Sequence, residues 1–412
     1  MLLKEEKHLT KDHLKIFGLS WAGWVFDFYD LMLFTYLTVA LQKDLGLTPE
    51  LISLCIGISL LATALGGIVF GTLGDKYGRK KVLQWTIVIY SLGAFLCGFS
   101  WSFTSLVIFR IITGIGVGGE WATGQTYINE SFPDHLRARF GGLMQTGAPI
   151  GIIIAAIVGN LISPIIGWRG AFMISVIPAL MVIYIRRSLP ESDVWLQDKA
   201  NNVKKSVHKE FKLLLSEKYR KYFLISLVLC IFGMAAYWFT YSWLPTYLSK
   251  ERGLTILAST FGIIIMQCGD FVGYGSFGFV SEKIGKRLSF TIYSFIMTCG
   301  ILMITIFWNK IIVIPHLILI VLFTVGVGAG FFSGFGPLFS ELFPTKIRNT
   351  AIGSIFNISR GIQFLTPLLI TAISVNYKLS GGIAMAAIFA FLTGIWIWTF
   401  PKTDNIDVTT IE

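Results

Sequence analysis

Charged residues are scarce in this chain of 412 residues: Asp, Glu, Lys and Arg together make up 14%, where a soluble globular domain carries about 25%. Cysteine is rarer still, five in all with no C-x-x-C pair, so neither a disulfide framework nor a paired-thiol metal or redox site is expected. The five histidines (His8, His13, His135, His208 and His316) show no metal-ligand spacing. No Walker-type phosphate loop, H-E-x-x-H or G-x-S-x-G sequence occurs, which argues against ATP-driven transport and against an intramembrane hydrolase. What is abundant is apolar. Hydrophobic residues reach 54%, with 34 Phe and 42 Gly, and the mean hydropathy is +0.70. Those figures exclude a disordered or collagen-like chain and indicate an integral membrane protein.

A spanning helix needs about 20 mostly apolar residues. Twelve such stretches are predicted: 14–41, 51–74, 82–99, 103–128, 140–161 and 168–185, then 222–248, 256–280, 289–307, 313–338, 350–373 and 382–400. The apolar runs are long and do not alternate, which disfavours a transmembrane barrel. Most gaps are short and carry Gly, Pro or charge. The long polar gap near 186–221 divides the chain into six spans and six. The expected organisation is an N-terminal bundle over 1–189, a linker over 190–220, a C-terminal bundle over 221–401 and a tail over 402–412. The mixed-charge start, Lys4-Glu5-Glu6-Lys7, does not read as a removable signal peptide.

The net charge of +11 invites a nucleic-acid reading until the cations are placed. Of the 34 Lys and Arg, 26 lie in the termini and one alternating set of loops. Six lie in the other set (Lys43, Arg169, Lys250, Arg252, Lys310 and Lys378), and Arg110 and Arg360 lie inside spans. By the positive-inside rule the first set is cytoplasmic, with both termini inside the cell membrane. The basic loop with Lys204, Lys205, Lys209 and Lys212 then faces anionic lipid headgroups, and no nucleic-acid partner is expected.

The halves repeat at an offset near 210. Gly74-Asp75-Lys76-Tyr77-Gly78-Arg79-Lys80 follows the second span, and Ser281-Glu282-Lys283-Ile284-Gly285-Lys286-Arg287 follows the eighth. Glu130-Ser131-Phe132-Pro133 leads to Arg137 after the fourth span, as Glu341-Leu342-Phe343-Pro344 leads to Arg348 after the tenth. Parallel six-helix repeats are a transporter architecture with substrate held between the halves. At these residues the chain resembles the major facilitator superfamily. The loop from Gly71 to Lys81, Arg110 with Gly114, Gly116 and Gly118, and Gly147, Pro149 and Gly151 are similar to that family's signatures. Gly114-x-Gly116-x-Gly118 lies in a long apolar run and is no dinucleotide fingerprint. Asp27-Phe28-Tyr29-Asp30, Gly118-Gly119-Glu120-Trp121 and Leu189-Pro190-Glu191-Ser192 resemble the sialate, aromatic-acid and organic-metabolite proton symporters. Val194 stands where the sugar porters carry an arginine after Pro190-Glu191-Ser192, which weakens a sugar assignment. The resemblance implies an all-α fold of two pseudo-symmetric six-helix bundles, working as a monomer, with no cofactor beyond the proton gradient.

A charged group at bilayer depth costs about 2.5–3.5 kcal/mol on insertion scales, so each needs a reason. The list is Asp27, Asp30, Arg110, Glu120, Asp270 and Arg360. Arginines in opposite halves suit an anion between them, and a carboxyl in an apolar cavity can carry a proton. Asp27, Asp30, Arg110 and Glu120 are the candidate proton-coupling residues, the alternative being ion pairs that only hold helices together. Candidate substrate residues are Tyr29, Arg110, Tyr237, Tyr241, Gln267, Asp270 and the i, i+3, i+6 stripe of Asn357, Arg360 and Gln363. The stripe faces either a cavity or a neighbouring helix, and the aromatics either a site or the core. By resemblance, Asp75, Arg79, Glu130, Arg137, Glu191, Glu282, Lys286, Glu341 and Arg348 form ion-pair clusters that gate the rocking halves. The expected function is proton-coupled symport of a small organic anion by alternating access. A transporter of neutral sugars or zwitterions, and a non-transporting receptor or channel, are the alternatives.

Overall fold

The computed structural model describes residues 3, 8–177, 179–180, 189–200, 212–314, 316–343 and 345–401. Among these, every regular element is helical. The first half contains α1 (Lys11–Leu45), α2 (Pro49–Tyr77), α3 (Arg79–Cys97), α4 (Phe103–Ser131), α5 (Asp134–Met144), α6 (Gly147–Ile157) and α7 (Ser163–Ile174). A short α8 (Asp193–Ala200) precedes the second half. That half contains α9 (Glu217–Tyr241), α10 (Ile256–Ile284), α11 (Lys286–Thr305), α12 (Leu317–Gly328), α13 (Phe332–Leu342), α14 (Thr345–Ile362) and α15 (Leu365–Trp396).

The helices begin where their sequences supply caps. Thr10 and Ser102 form capping boxes at α1 and α4, Thr48 caps α2 with Pro49 in its first turn, and Thr255 caps α10. Nine helical stretches among the described residues are long and apolar enough to cross a membrane. Two of these cover two crossings each. Arg139–Ile174 is broken at Gly167 with φ 76°, and Thr350–Thr399 at Lys378 with φ 59°. With α3 between α2 and α4, they give the twelve expected crossings, the sixth described only in part.

The repeat seen in the loops extends to the backbone. Gly78 takes φ 98° and ψ 156° between α2 and α3, and Gly285 takes φ 82° and ψ 153° between α10 and α11. That positive φ favours glycine, so the same motif makes the same sharp turn twice. It extends to packing as well. A Cβ on Gly118 would lie 1.8 Å from the Thr63 carbonyl oxygen, and one on Gly326 2.0 Å from that of Met266. These glycines let α4 press on α2, and α12 on α10. Gly118→Ala is therefore expected to force the helices apart at a cost of about 1–3 kcal/mol or more. Thermal unfolding in detergent reads this as a midpoint several degrees lower, and an unchanged midpoint would show that the contact is not tight.

Within the first half α4 packs on α2 and α3, and α1 on α6; within the second, α10 packs on α12, and α15 on α9 and α11. The halves meet where α2 crosses α14 and α15, and where α6 crosses α10. Two neutral hydrogen bonds bridge that seam, Ser53 with Thr371, and Asn160 donating to Thr260 at 2.9 Å.

Expected continuous spans are interrupted at several places, among them 242–243 just after α9. The chain turns at residues 145–146 between α5 and α6, tightens to a 3-10 turn over Ala329–Phe331, and turns again at 363–364 between α14 and α15. The cause of two breaks is readable. Pro149 and Pro367 follow Gln145 and Gln363 by four residues, and a proline ring both lacks the N–H for, and clashes with, the carbonyl four residues earlier. The stranded Gln145 and Gln363 carbonyls instead accept from the backbone N–H of Ala148 at 3.1 Å and Thr366 at 3.0 Å.

Candidate functional site

A cavity lies between the halves. The first half contributes Trp24 and Phe28 from α1, with Gln145 and Ala148 from the break between α5 and α6. Opposite them stand Met234, Tyr237 and Trp238 of α9 and Tyr274 of α10. Phe332, Phe356 and Arg360 close the second wall. The walls are braced from behind. Trp121 stacks on Phe356 at 3.9 Å and 14°, across the seam, and Tyr241 stacks on Tyr237 at 4.0 Å and 10°.

Arg360 is the one cation in this lining, and it is buried. Its guanidinium lies 5.8 Å from the Trp24 ring centroid, a cation–π contact reaching from one half to the other. It has no hydrogen bond or ion pair among the described residues. Its donors are therefore without a protein acceptor among the described residues, at the cavity wall. Asp27, one turn beyond Trp24, lies in the electrostatic field of Arg360, Glu120 and Asp30. It is fully buried, and neither of its carboxylate oxygens is hydrogen-bonded.

The remaining charges of the first half sit behind that wall. Glu120 accepts from the Thr86 hydroxyl at 2.7 Å through Oε2, while Oε1 lies where a Cβ on Gly23 would come within 2.0 Å. Arg110 donates to Ser59 Oγ at 3.3 Å and to the backbone carbonyl of Asp30 at 3.4 Å, and its guanidinium stands 5.0 Å from the Phe34 ring. Both oxygens of Asp30 and the hydroxyl of Tyr29 are buried near the Ser175 hydroxyl, with no hydrogen bond within 3.5 Å among the described residues. Arg110 and Tyr29 thus lie outside the cavity lining, among the acids of the first half.

The other candidate substrate residues separate. Tyr237 and Arg360 line the cavity. Tyr241 sits one layer back, its hydroxyl donating to both oxygens of Asp270 at 2.7 and 2.9 Å. Gln267 is buried beside Asp270, with no hydrogen bond within 3.5 Å on its carboxamide among the described residues. Asn357 points at the seam, donating to the Gly353 carbonyl at 3.0 Å while its Oδ1 lies 2.2 Å from where a Cβ on Gly67 would be. Gln363 donates to the Ser359 and Ile231 carbonyls at 3.1 and 3.3 Å and accepts from Thr366. The polar stripe of α14 therefore serves three directions, with Arg360 alone at the cavity. Trp24, Phe28, Tyr274, Phe332, Phe356 and Gln145 escaped the sequence reading. Only Gln145 carried a local signal, the proline four residues on.

At the cation-rich end, Arg79 grips Glu130 with two donors, Nη2 at 2.7 Å and Nε at 3.0 Å. The Ser192 hydroxyl donates to the same carboxylate at 2.6 Å, and Glu191 accepts from the backbone N–H groups of Arg79 and Lys80 at 2.9 and 3.1 Å. Lys286 pairs with Glu341 in the second half, while Glu282 is exposed. The side chains of Asp75, Arg137 and Arg348 lie outside the described residues. The first cluster ties α3 and α4 to Glu191 and Ser192 at the start of the linker, and the second joins α11 to α13.

A family model described as the Major Facilitator Superfamily matches residues 19–362. The sialic acid transporter NanX of Escherichia coli is 33% identical over 402 residues, covering 94% of this chain and 95% of that protein. The niacin transporter NiaP of Acinetobacter baylyi is 30% identical, covering 72% of this chain and 73% of that protein. In three dimensions the crystal structure of a D-xylose-proton symporter superposes with a TM-score of 0.77 at 20% identity, over 96% of this chain and 99% of that one, a likeness of fold. One family model spans most of both bundles, and the loop motif on which the resemblance rested recurs in each: the chain belongs to the major facilitator superfamily.

Proposed function

We propose that this protein is a secondary active transporter, a proton-coupled symporter of a small organic anion that works by alternating access. The observation that carries this reading is Arg360, a buried guanidinium at the cavity with no hydrogen-bond acceptor for its donors among the described residues. An unpaired buried charge is costly, and a carboxylate from solution is the complement that satisfies it bidentately. Proton coupling follows from the neighbourhood. With Asp27 ionised, Arg360 shares its field with an internal acid; with Asp27 protonated, the guanidinium is free for the substrate. Glu120, Asp30 and Arg110 behind it set the charge balance of that switch. The names of the relatives support the class, since sialic acid and niacin are both small carboxylic acids.

In this reading the bundles cover 1–189 and 221–401 and both termini face the cytoplasm. The clusters of Arg79, Glu130 and Glu191, and of Lys286 and Glu341, stiffen the cytoplasmic ends of the two bundles as they rock. The protein works as a monomer, with the proton as its coupling ion. Reconstituted in proteoliposomes, it is expected to accumulate labelled organic acids when the outside is made acidic, and to lose that stimulation when a protonophore is added. Equal uptake with and without the gradient would sink the coupled reading.

A further inference from the structure

Seven of the eleven residues lining the cavity are aromatic, and its polar side chains are few. Arg360 comes from the second half and Gln145 from the first. Gln145 is half-buried, and its carboxamide makes no hydrogen bond among the described residues. Trp24 Nε1 and Tyr237 Oη add two more polar atoms without a partner among the described residues, and the rings around them have little freedom to turn. Phe356 is held by its stack on Trp121, Tyr237 by its stack on Tyr241, and Phe28 meets Tyr237 edge-on at 6.3 Å and 89°. Trp24 carries the Arg360 cation on its face. A solute rich in hydroxyls would carry more groups than these few polar atoms can pair, and the rest would face rings, dehydrated. A conjugated ring or diene offers a flat face that stacks on such walls.

We propose that the substrate of this cavity is a planar, conjugated carboxylate. Its carboxylate sits on Arg360, and a second hydrogen-bonding atom at its far end meets the Gln145 carboxamide. This rests on the anion-transport reading above and narrows it. It also separates the chain from its sialic acid-transporting relative, since sialic acid is a puckered polyol. Gln145 is then a specificity-determining residue, set at the cavity by the break that Pro149 imposes.

The test is proton-driven uptake by the full-length protein in proteoliposomes, with four labelled acids: nicotinate, benzoate, cyclohexanecarboxylate and N-acetylneuraminate. Both planar acids are expected to exceed the saturated ring and the sugar acid by about tenfold or more in kcat/KM. Nicotinate, which adds a ring nitrogen to the benzoate frame, is expected to be preferred over benzoate, and Gln145→Leu to collapse that preference toward about one. A ratio is immune to partial loss of folded protein, and Gln145→Met gives the same readout should the leucine variant fail to assemble. Equal uptake of cyclohexanecarboxylate, or preference for N-acetylneuraminate, overturns the planar substrate and leaves the anion reading standing. A nicotinate-to-benzoate preference unchanged by the variant overturns the assignment of Gln145. No uptake of any of the four, with or without the gradient, overturns both readings together.

Discussion

Arg360→Gln is expected to lower kcat/KM for anion uptake by roughly a hundredfold, about 3 kcal/mol, the scale on which a buried charge partner is lost. The guanidinium holds its place through the ring of Trp24 rather than through a protein hydrogen bond, so the substitution breaks no internal ion pair. The loss should therefore fall on transport rather than on folding. Arg360→Lys separates charge from geometry. Lysine keeps the positive charge but offers a compact point charge instead of a planar fork, and its uptake should lie between the two. Thermal midpoints of all three proteins in detergent provide the control. Undiminished anion uptake by the glutamine variant would make Arg360 a packing residue and remove the basis for an anionic substrate.

Asp27→Asn should abolish uphill accumulation while sparing exchange. A gradient of one pH unit carries about 1.4 kcal/mol per proton, enough for about tenfold accumulation at one proton per anion. Without an ionisable group at position 27 the gradient has no handle on Arg360, and the internal concentration should rise only to the external one. Exchange of labelled for unlabelled anion needs no net proton movement, so counterflow should persist. Because no hydrogen bond to the Asp27 carboxylate exists among the described residues, the amide removes charge without removing a bond. Persistent accumulation by Asp27→Asn would move the proton to another acid. Glu120, whose Oε1 is also buried without a partner, is the next to replace by glutamine.

Much of the scaffold could be read from residue order alone, because the membrane imposes length and polarity on each crossing. The paired loop motifs fixed the pseudo-symmetry, and the backbone repeats it at Gly78 and Gly285. Scarcity likewise exposed Asp27, Arg110, Glu120 and Arg360: a charge inside an apolar run stands out. Direction did not follow as easily. Helical spacing put Asn357, Arg360 and Gln363 on one stripe, yet it could not say that Gly67 leaves room for Asn357 or that the chain turns at Gln363. The aromatic walls were hidden by abundance. With 34 Phe, 14 Tyr and 12 Trp in the chain, no single ring announces itself until its neighbours across the seam are known.

The broken helices bear on how such a protein changes over time. Gln145 lies at the break set by Pro149, and Arg360 three residues before the turn set by Pro367. Each of these two side chains sits beside a joint where the ridge of the helix is already discontinuous. Replacements there leave the close contacts of Gly118 and Gly326, on other helices, untouched. Solute preference can therefore drift one residue at a time while the framework is inherited whole, as expected of a lineage in which relatives of about 30% identity carry solutes as unlike as sialic acid and niacin.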